Sequence, residues 1–250
     1  MLTTEQAEQF NSEGYIILEN FTSTDSIRIL KETTLEQLEN RVPPFELESD
    51  LQYPGAPGAN QLGAHTIRRL KQAYDRSFCF QDWSTQPALS EMLQQLLGEP
   101  AMLVRAHHNC VMTKQPEFSS DSLWHQDLRY WNYSTGRLIS AWLALGNESL
   151  ENGCLQVIPQ SHTFTFKQHQ FDEALFFRHD LPENQKILNK AIPVELKPGD
   201  LLLFHCRLLH AATRNYSSET KLSAVFTYRA ESDEPVTDSR SASISDISLF

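Results

Sequence analysis

Residues 122–131, SLWHQDLRYW, set an imidazole (His125) and a carboxylate (Asp127) two positions apart among three large aromatics. In a strand or extended loop, positions i and i+2 project to the same side. His125 and Asp127 can therefore address one centre while Gln126 faces elsewhere. An imidazole with a carboxylate suits Fe(II), Mn(II) or Zn(II), and a third ligand from a distant segment would complete a facial triad with open positions. The three letters alone are a weak signal, so the other histidines matter. The chain holds nine. His107 and His108 are adjacent on an expected strand, so one of them is expected to face the core. His162, His169 and His179 lie in or near 160–190, and His65 sits beside a long loop. His205 and His210 emerge at the end of the apolar run GDLLLFHCRLLH. A strand end beside a loop is where a rigid scaffold presents ligands to a cavity.

These residues need a scaffold, and the chain is long enough to provide one. With 250 residues, 40% hydrophobic and 21% charged, it fits one large domain with a substantial core. A net charge of −11 argues against nucleic acid or an anionic membrane as partner, because a phosphate-binding face needs a basic excess. The one cationic cluster, RRLKQAYDR (68–76), is expected to be a solvated helix face. Cys79, Cys110, Cys154 and Cys206 are scattered without a C-x-x-C pair, which favours buried free thiols over disulfides or a zinc knuckle. The segment MLTTEQAEQF has no basic or apolar leader character, and no stretch approaches the length of an apolar span. The expectation is a soluble cytoplasmic protein, monomer or homodimer, acting on a small molecule.

The elements follow from periodicity. TTEQAEQFNSEG carries a capping box (Thr3 with Gln6) and stops at Gly14, predicting a short helix, and YIIL (15–18) predicts a strand. STDSIRILKETTLEQLENR (23–41) spaces its leucines and isoleucine as an amphipathic helix. From Val42 to Gly63, prolines and glycines predict a long loop of the kind that forms a lid. STQPALSEMLQQLLGEP (84–100) predicts a third helix, capped by Ser84 or Thr85 and ended by Gly98. After Pro100 the chain turns to short β-branched and aromatic runs parted by turn signals, without βα alternation. The fold class is mainly β: an antiparallel jelly-roll, cupin-like double-stranded β-helix with N-terminal and flanking helices packed outside. A single domain is expected over 1–250, with helices in 1–99, the β core in 100–230 and a polar, loosely held tail in 231–250.

Three segments, WHQDLRYW, AWLALGNESLENGCLQVIPQSH and KPGDLLLFHCRLLHAATRNYS, resemble in order and spacing the motifs of the phytanoyl-CoA dioxygenase family. That resemblance is strong over about 100–230 and weaker in the N-terminal helices. It implies a non-haem Fe(II), 2-oxoglutarate-dependent dioxygenase that uses O2, on a double-stranded β-helix. It also implies His125, Asp127 and His210 as iron ligands, with His205 only a neighbour. The family places a basic residue, usually arginine, eleven positions after the distal histidine to hold 2-oxoglutarate; here that position is Lys221. Lysine supplies charge without the bidentate fork. Arg214 or Arg229 would take the role in a different register. A serine often found two positions after the distal histidine is Ala212 here, followed by Thr213. Gln126 and Trp142 match cosubstrate-pocket positions, and Asn109 and Lys114 match only loosely, Asn109 being the favoured cosubstrate contact of the two.

The retained carboxylate of Asp127 favours hydroxylation, since halogenating relatives lack it. An acyl-CoA substrate is disfavoured because only the 68–76 cluster offers cations, and 42–63 and 163–190 are expected to shape the pocket. The competing reading is a catalytically impaired jelly-roll binding protein, for which Lys221 and Ala212 are the hints. A zinc hydrolase is a weaker rival.

Overall fold

Thr3 and Gln6 cap the first helix reciprocally, with hydrogen bonds of 3.2 and 2.9 Å, in a computed structural model that describes residues 1–51 and 53–249. Gln52, within the expected loop 42–63, and Phe250, at the end of the tail, lie outside the described residues. Helix α1 (Thr4–Glu13) ends at Gly14, whose φ of +83° turns the chain directly into strand β1 (Tyr15–Leu18). Ser23 caps α2 (Thr24–Glu39), and β2 (Phe45–Leu47) follows inside the segment expected to be loop.

Two expectations are corrected in the next stretch. The cluster at 68–76 is not one solvated helix face: Ile67–Lys71 is strand β3 and only Ala73–Arg76 is helical (α3). Strand pairing turns Arg68 inward, where it is buried, and Arg69 reaches Glu46 on β2. The third helix does not start at Ser84 or Thr85. Their hydroxyls bond back to the Gln81 carbonyl at 3.1 and 2.8 Å, so they finish a separate helix, α4 (Phe78–Thr85). Helix α5 (Pro87–Leu97) begins with Pro87, a residue suited to a first turn because it has no N–H to leave unpaired.

The remaining elements are β4 (Ala101–Lys114), β5 (Ser122–His125), β6 (Leu138–Ala144), β7 (Leu155–Val157), α6 (Pro182–Leu188), β8 (Ile192–Val194), β9 (Leu201–His205), β10 (His210–Ala212), β11 (Lys221–Ala230) and β12 (Ile247–Ser248). They form two antiparallel sheets. The larger runs β1-β9-β6-β11-β4-β3-β2, with β12 also on β4; the smaller runs β5-β10-β7-β8. Alternation along the strands builds two apolar layers. Ile139, Ala141, Leu203 and Phe226 face the helices with Trp83, Leu89 and Leu93, whereas Trp142, Leu202 and Val225 face Leu155, Val157 and Val194 of the smaller sheet. This is the jelly-roll architecture, one sheet backed by helices and the other closing over its free face.

The polar tail is not loosely held. Asp233 accepts from Ser134 Oγ (2.8 Å) and from the Thr135 and Arg137 N–H groups (2.6 Å each), and Asp246 pairs with Arg229 at 2.6 Å. Asp233 and Asp246 are thus fixed by partners distant in sequence. No helix among the described residues is long and apolar enough to cross a membrane. Cys110, Cys154 and Cys206 are buried free thiols, and Cys79 is half-buried.

Candidate metal centre

Pairing of β10 with β5 sets His210 directly opposite His125. Their rings lie 4.3 Å apart between centroids. Asp127, the first residue of a short 3-10 turn after β5, brings Oδ1 to 3.7 Å from His125 Nε2 and 3.6 Å from His210 Nε2. The three ligand atoms lie within 4.8 Å of one another. Each histidine donates Nδ1–H to a backbone carbonyl two residues back, His125 to Leu123 at 2.7 Å and His210 to Leu208 at 2.9 Å. That fixes the tautomer and leaves both Nε2 lone pairs facing Asp127 Oδ1. The other carboxylate oxygen accepts from Ser140 Oγ at 3.0 Å.

Asp127 is 2% exposed, and burial alone would raise its pKa; the imidazoles of His108, His210 and His125 outweigh this and hold it well below the usual carboxylate range. Burial pulls His125 and His210 down from the ordinary imidazole value, with mutual repulsion adding to it at His125. The site is therefore two neutral imidazoles and one carboxylate, the protonation states a divalent cation needs. The donor set fits an Fe(II)-type ion bound on one face.

His108 lies beside this centre, its Nδ1 3.6 Å from Asp127 Oδ2 and without a hydrogen-bond partner. His107 stacks on the buried Trp131, ring centroids 5.3 Å apart, as expected of one of the pair, while His108 stands beside Asp127. On β11, Phe226 pairs with Asn109 and the next residue, Thr227, with Val104, so residues 105–108 bulge out of the ladder. The bulge aims both imidazoles into the cavity. His205 lies elsewhere, 5.5 Å from the His162 ring. There it accepts from the Arg207 N–H at 3.0 Å.

The triad's histidines open on a cavity of about 300 Å³, into which Trp142, Lys221 and Lys114 also project. Arg68, Tyr53 and Arg129 line its other side. Two expected pocket residues are not brought there. Gln126 turns its carboxamide to the Arg207 carbonyl, and Asn109 lines a neighbouring cavity, its Oδ1 accepting from the Tyr74 N–H at 2.8 Å. Sequence reasoning gave no role to Ser140, Glu148 or Arg129. The spacing of Arg129, two residues past Asp127, was the only local signal for any of them.

The chain matches the profile of the phytanoyl-CoA dioxygenase (PhyH) family over residues 10–223. It belongs to that family. A probable phytanoyl-CoA dioxygenase of Caenorhabditis elegans is 24% identical over 233 residues, covering 86% of this chain and 71% of the relative. Among solved structures, ectoine dioxygenase EctD of Sphingopyxis alaskensis with 2-oxoglutarate and 5-hydroxyectoine superposes with a TM-score of 0.72 at 22% identity, over 94% of this chain and 78% of that one. The epimerase SnoN of nogalamycin biosynthesis, in complex with Fe3+, alpha-ketoglutarate and nogalamycin RO, gives 0.75 at 20% identity, over 92% and 84%. At these identities the structures share a fold.

In this phytanoyl-CoA dioxygenase family member, Lys221 stands at the cavity wall with its ammonium 4.9 Å from the Trp142 ring centroid and 2.9 Å from Glu148 Oε2. Glu148 also accepts from Trp142 Nε1 (2.9 Å) and Ser223 Oγ (2.6 Å). One buried carboxylate thus fixes the lysine, the indole and a hydroxyl. Lys114, cross-strand from Lys221, donates to the carbonyls of Ser120 and Thr213, and burial with repulsion from Lys221 and Arg68 brings it down to about 7. Arg214 and Arg229 are committed elsewhere, to Asp121 and Asp246. Ala212 lines the cavity without a hydroxyl to offer.

Proposed function

We propose that the chain is a non-haem Fe(II)- and 2-oxoglutarate-dependent dioxygenase that hydroxylates a small molecule, with release of succinate and CO2. The observation that carries this is the convergence of His125 Nε2, Asp127 Oδ1 and His210 Nε2 on one point beside an open cavity. His125, Asp127 and His210 would hold the iron, and Lys221, Trp142 and Lys114 the 2-oxoglutarate. When bound, iron and 2-oxoglutarate supply oxidative decarboxylation with O2 and transfer of one oxygen atom to a substrate C–H bond.

The chain's part is placement. Leu123 and Leu208 carbonyls lock the ligand imidazoles, and Ser140 holds Asp127 through its outer oxygen. Glu148 orients Trp142 and Lys221 toward the cosubstrate carboxylate. With iron bound, Asp127 would fill the place a halide could otherwise take, which disfavours halogenation and leaves hydroxylation as the reading. Tyr53 and Tyr130 line the cavity, and Phe176 packs edge-on against Tyr53 behind it.

The reading is tested by anaerobic addition of Fe(II) and 2-oxoglutarate, which should produce a visible charge-transfer band, and by aerobic succinate release across a metabolite panel. Tight zinc retention with neither band nor succinate overturns it. The alternative, a jelly-roll binding protein without catalysis, has one observation in its favour: Lys221 is already neutralised by Glu148. It predicts metal and 2-oxoglutarate binding without succinate under any condition.

A further inference from the structure

The chain carries a net charge of −11, yet six cationic side chains line the cavity against one carboxylate, Glu46, among the described residues. Most are already neutralised or held. Arg69 forms a two-point pair with Glu46, both contacts 2.8 Å. Arg68 shares Glu46 at 3.4 Å and stands 3.9 Å from Glu48, and Lys221 is held by Glu148. Lys114 is occupied by two carbonyls. Two guanidiniums remain with no carboxylate within ion-pair distance among the described residues: Arg240, exposed at the rim, and Arg129.

Arg129 is the better placed. Its Nε is buried and has no hydrogen-bond partner. Its other contacts are long: 3.3 and 3.4 Å to the carbonyls of Ala174 and Leu175, and 3.4 Å to the Tyr53 hydroxyl. A guanidinium has five N–H donors in one plane, and leaving them underused in a half-buried position is costly unless a ligand supplies acceptors. The plane is set by aromatic rings, Phe176 at 3.8 Å and Tyr130 at 4.2 Å from the guanidinium carbon. Stacking consumes the faces and leaves the edge donors for a flat, two-point acceptor. Phe176 also touches His125, ring centroids 6.1 Å apart, so Arg129 stands one ring away from the metal ligands.

We infer that Arg129 is the anchor for the substrate's own anionic group, and that the substrate is a compact carboxylate- or phosphate-bearing small molecule. The anion sits in the plane of the Arg129 guanidinium, and the carbon to be oxidised lies a few bonds away, toward His125 and His210. The cosubstrate's carboxylate keeps a separate cation, Lys221, beside Trp142. Arg240 at the rim adds to the attraction of anions into the cavity from an otherwise acidic surface. The inference rests on the oxygenase reading only in calling the ligand a substrate, since anion binding can be measured without turnover.

The test uses the full chain, first metal-free and then with Mn(II) and 2-oxoglutarate. Benzoate, its neutral counterpart benzamide, and inorganic phosphate are titrated by calorimetry. Benzoate or phosphate should bind at least about tenfold tighter than benzamide, the range of one charge-assisted two-point contact. The tighter of the two anions identifies the headgroup. Arg129→Gln should erase the preference while the dissociation constant for 2-oxoglutarate moves less than about twofold. Arg129→Lys, which keeps the charge and loses the fork, should fall between and covers the case of a poorly folded glutamine variant. Benzamide binding as tightly as benzoate, or no anion binding to the unaltered chain, overturns the inference. So does a loss of 2-oxoglutarate affinity in step with benzoate, because Arg129 would then serve the cosubstrate. Anion discrimination without Mn(II) or 2-oxoglutarate binding would instead sink the oxygenase reading and leave the anion site standing.

Discussion

Glu148 and Lys221 form an ion pair of 2.9 Å with both side chains deeply buried, at 0% and 2% exposure, and the lysine at the cavity wall. A buried pair is a weak source of net stability, but removing one partner strands the other charge, at a cost of about 3–5 kcal/mol. Glu148→Gln keeps acceptor and shape for Trp142 Nε1 and Ser223 Oγ while deleting the charge. Urea melts should show a loss of about 3 kcal/mol, part of it recovered in the double variant with Lys221→Met. Because a ligand carboxylate can replace the missing partner, 2-oxoglutarate should raise the melting temperature more in Glu148→Gln than in the unaltered chain. Equal shifts would mean that Lys221 does not meet the cosubstrate.

The two histidines that end the GDLLLFHCRLLH run have separate fates, and metal binding should tell them apart. His210 Nε2 lies 3.6 Å from Asp127 Oδ1, whereas His205 packs against His162 and the Arg207 N–H. His210→Ala should weaken Mn(II) binding by at least about a hundredfold, and His205→Ala by less than threefold, read by electron paramagnetic resonance titration. The reverse order would move the distal ligand to His205.

The parts of this fold legible in the sequence are those where one local rule dominates. Thr3 and Gln6 cap α1 because a capping box needs only residues three apart. The strands of the β core stand out because their faces are apolar on one or both sides, as in Leu138–Ala144, buried throughout. Features set by pairing partners far along the chain are not legible. Arg68 looks solvated until β3 pairs with β4 and turns it inward, and Ser241 looks like tail until His107 Nε2 meets its hydroxyl at 2.7 Å. The metal site is divided in the same way. His125 and Asp127 are neighbours in sequence, but His210 is their partner only through the β5–β10 ladder, which spacing alone does not reveal and a family resemblance does. Glu148 and Arg129 lie within the segments that carry the resemblance, but nothing in their spacing assigns them a partner.

Two glycines with the same backbone twist should respond differently to alanine. Gly153 (φ +76°) and Gly98 (φ +75°) both sit in the left-handed region. A Cβ on Gly153 would lie 2.3 Å from the backbone oxygen of Thr213, whereas nothing approaches within 4 Å of one on Gly98. Gly98→Ala should therefore cost only the conformational strain, about 1 kcal/mol. Gly153→Ala must in addition push the chain after β10 away from β7, and should cost at least about 2 kcal/mol more in denaturant melts. Equal losses would show that the segment at Thr213 yields freely.

Acid should destabilise the fold through its buried imidazoles, His205 among them. Burial, the neighbouring His162 and the Arg207 guanidinium bring His205 down to about 4. The ordinary value is about 6.5, so between about pH 6.5 and 4 the unfolded chain binds a proton that the folded chain refuses. Stability from this group is fully present above about pH 6.5 and is lost as the pH falls toward 4, a difference on the order of 2–4 kcal/mol. His107, which burial and Arg240 bring down to about 3, and the metal-free ligand histidines act in the same direction. His205→Asn retains an acceptor for the Arg207 N–H but cannot titrate. It should make the slope of stability against pH shallower in this window without abolishing it. Urea melts of the metal-free protein at pH 7, 6, 5 and 4 would measure the two slopes. Parallel curves for the variant and the unaltered chain would remove His205 from the acid response.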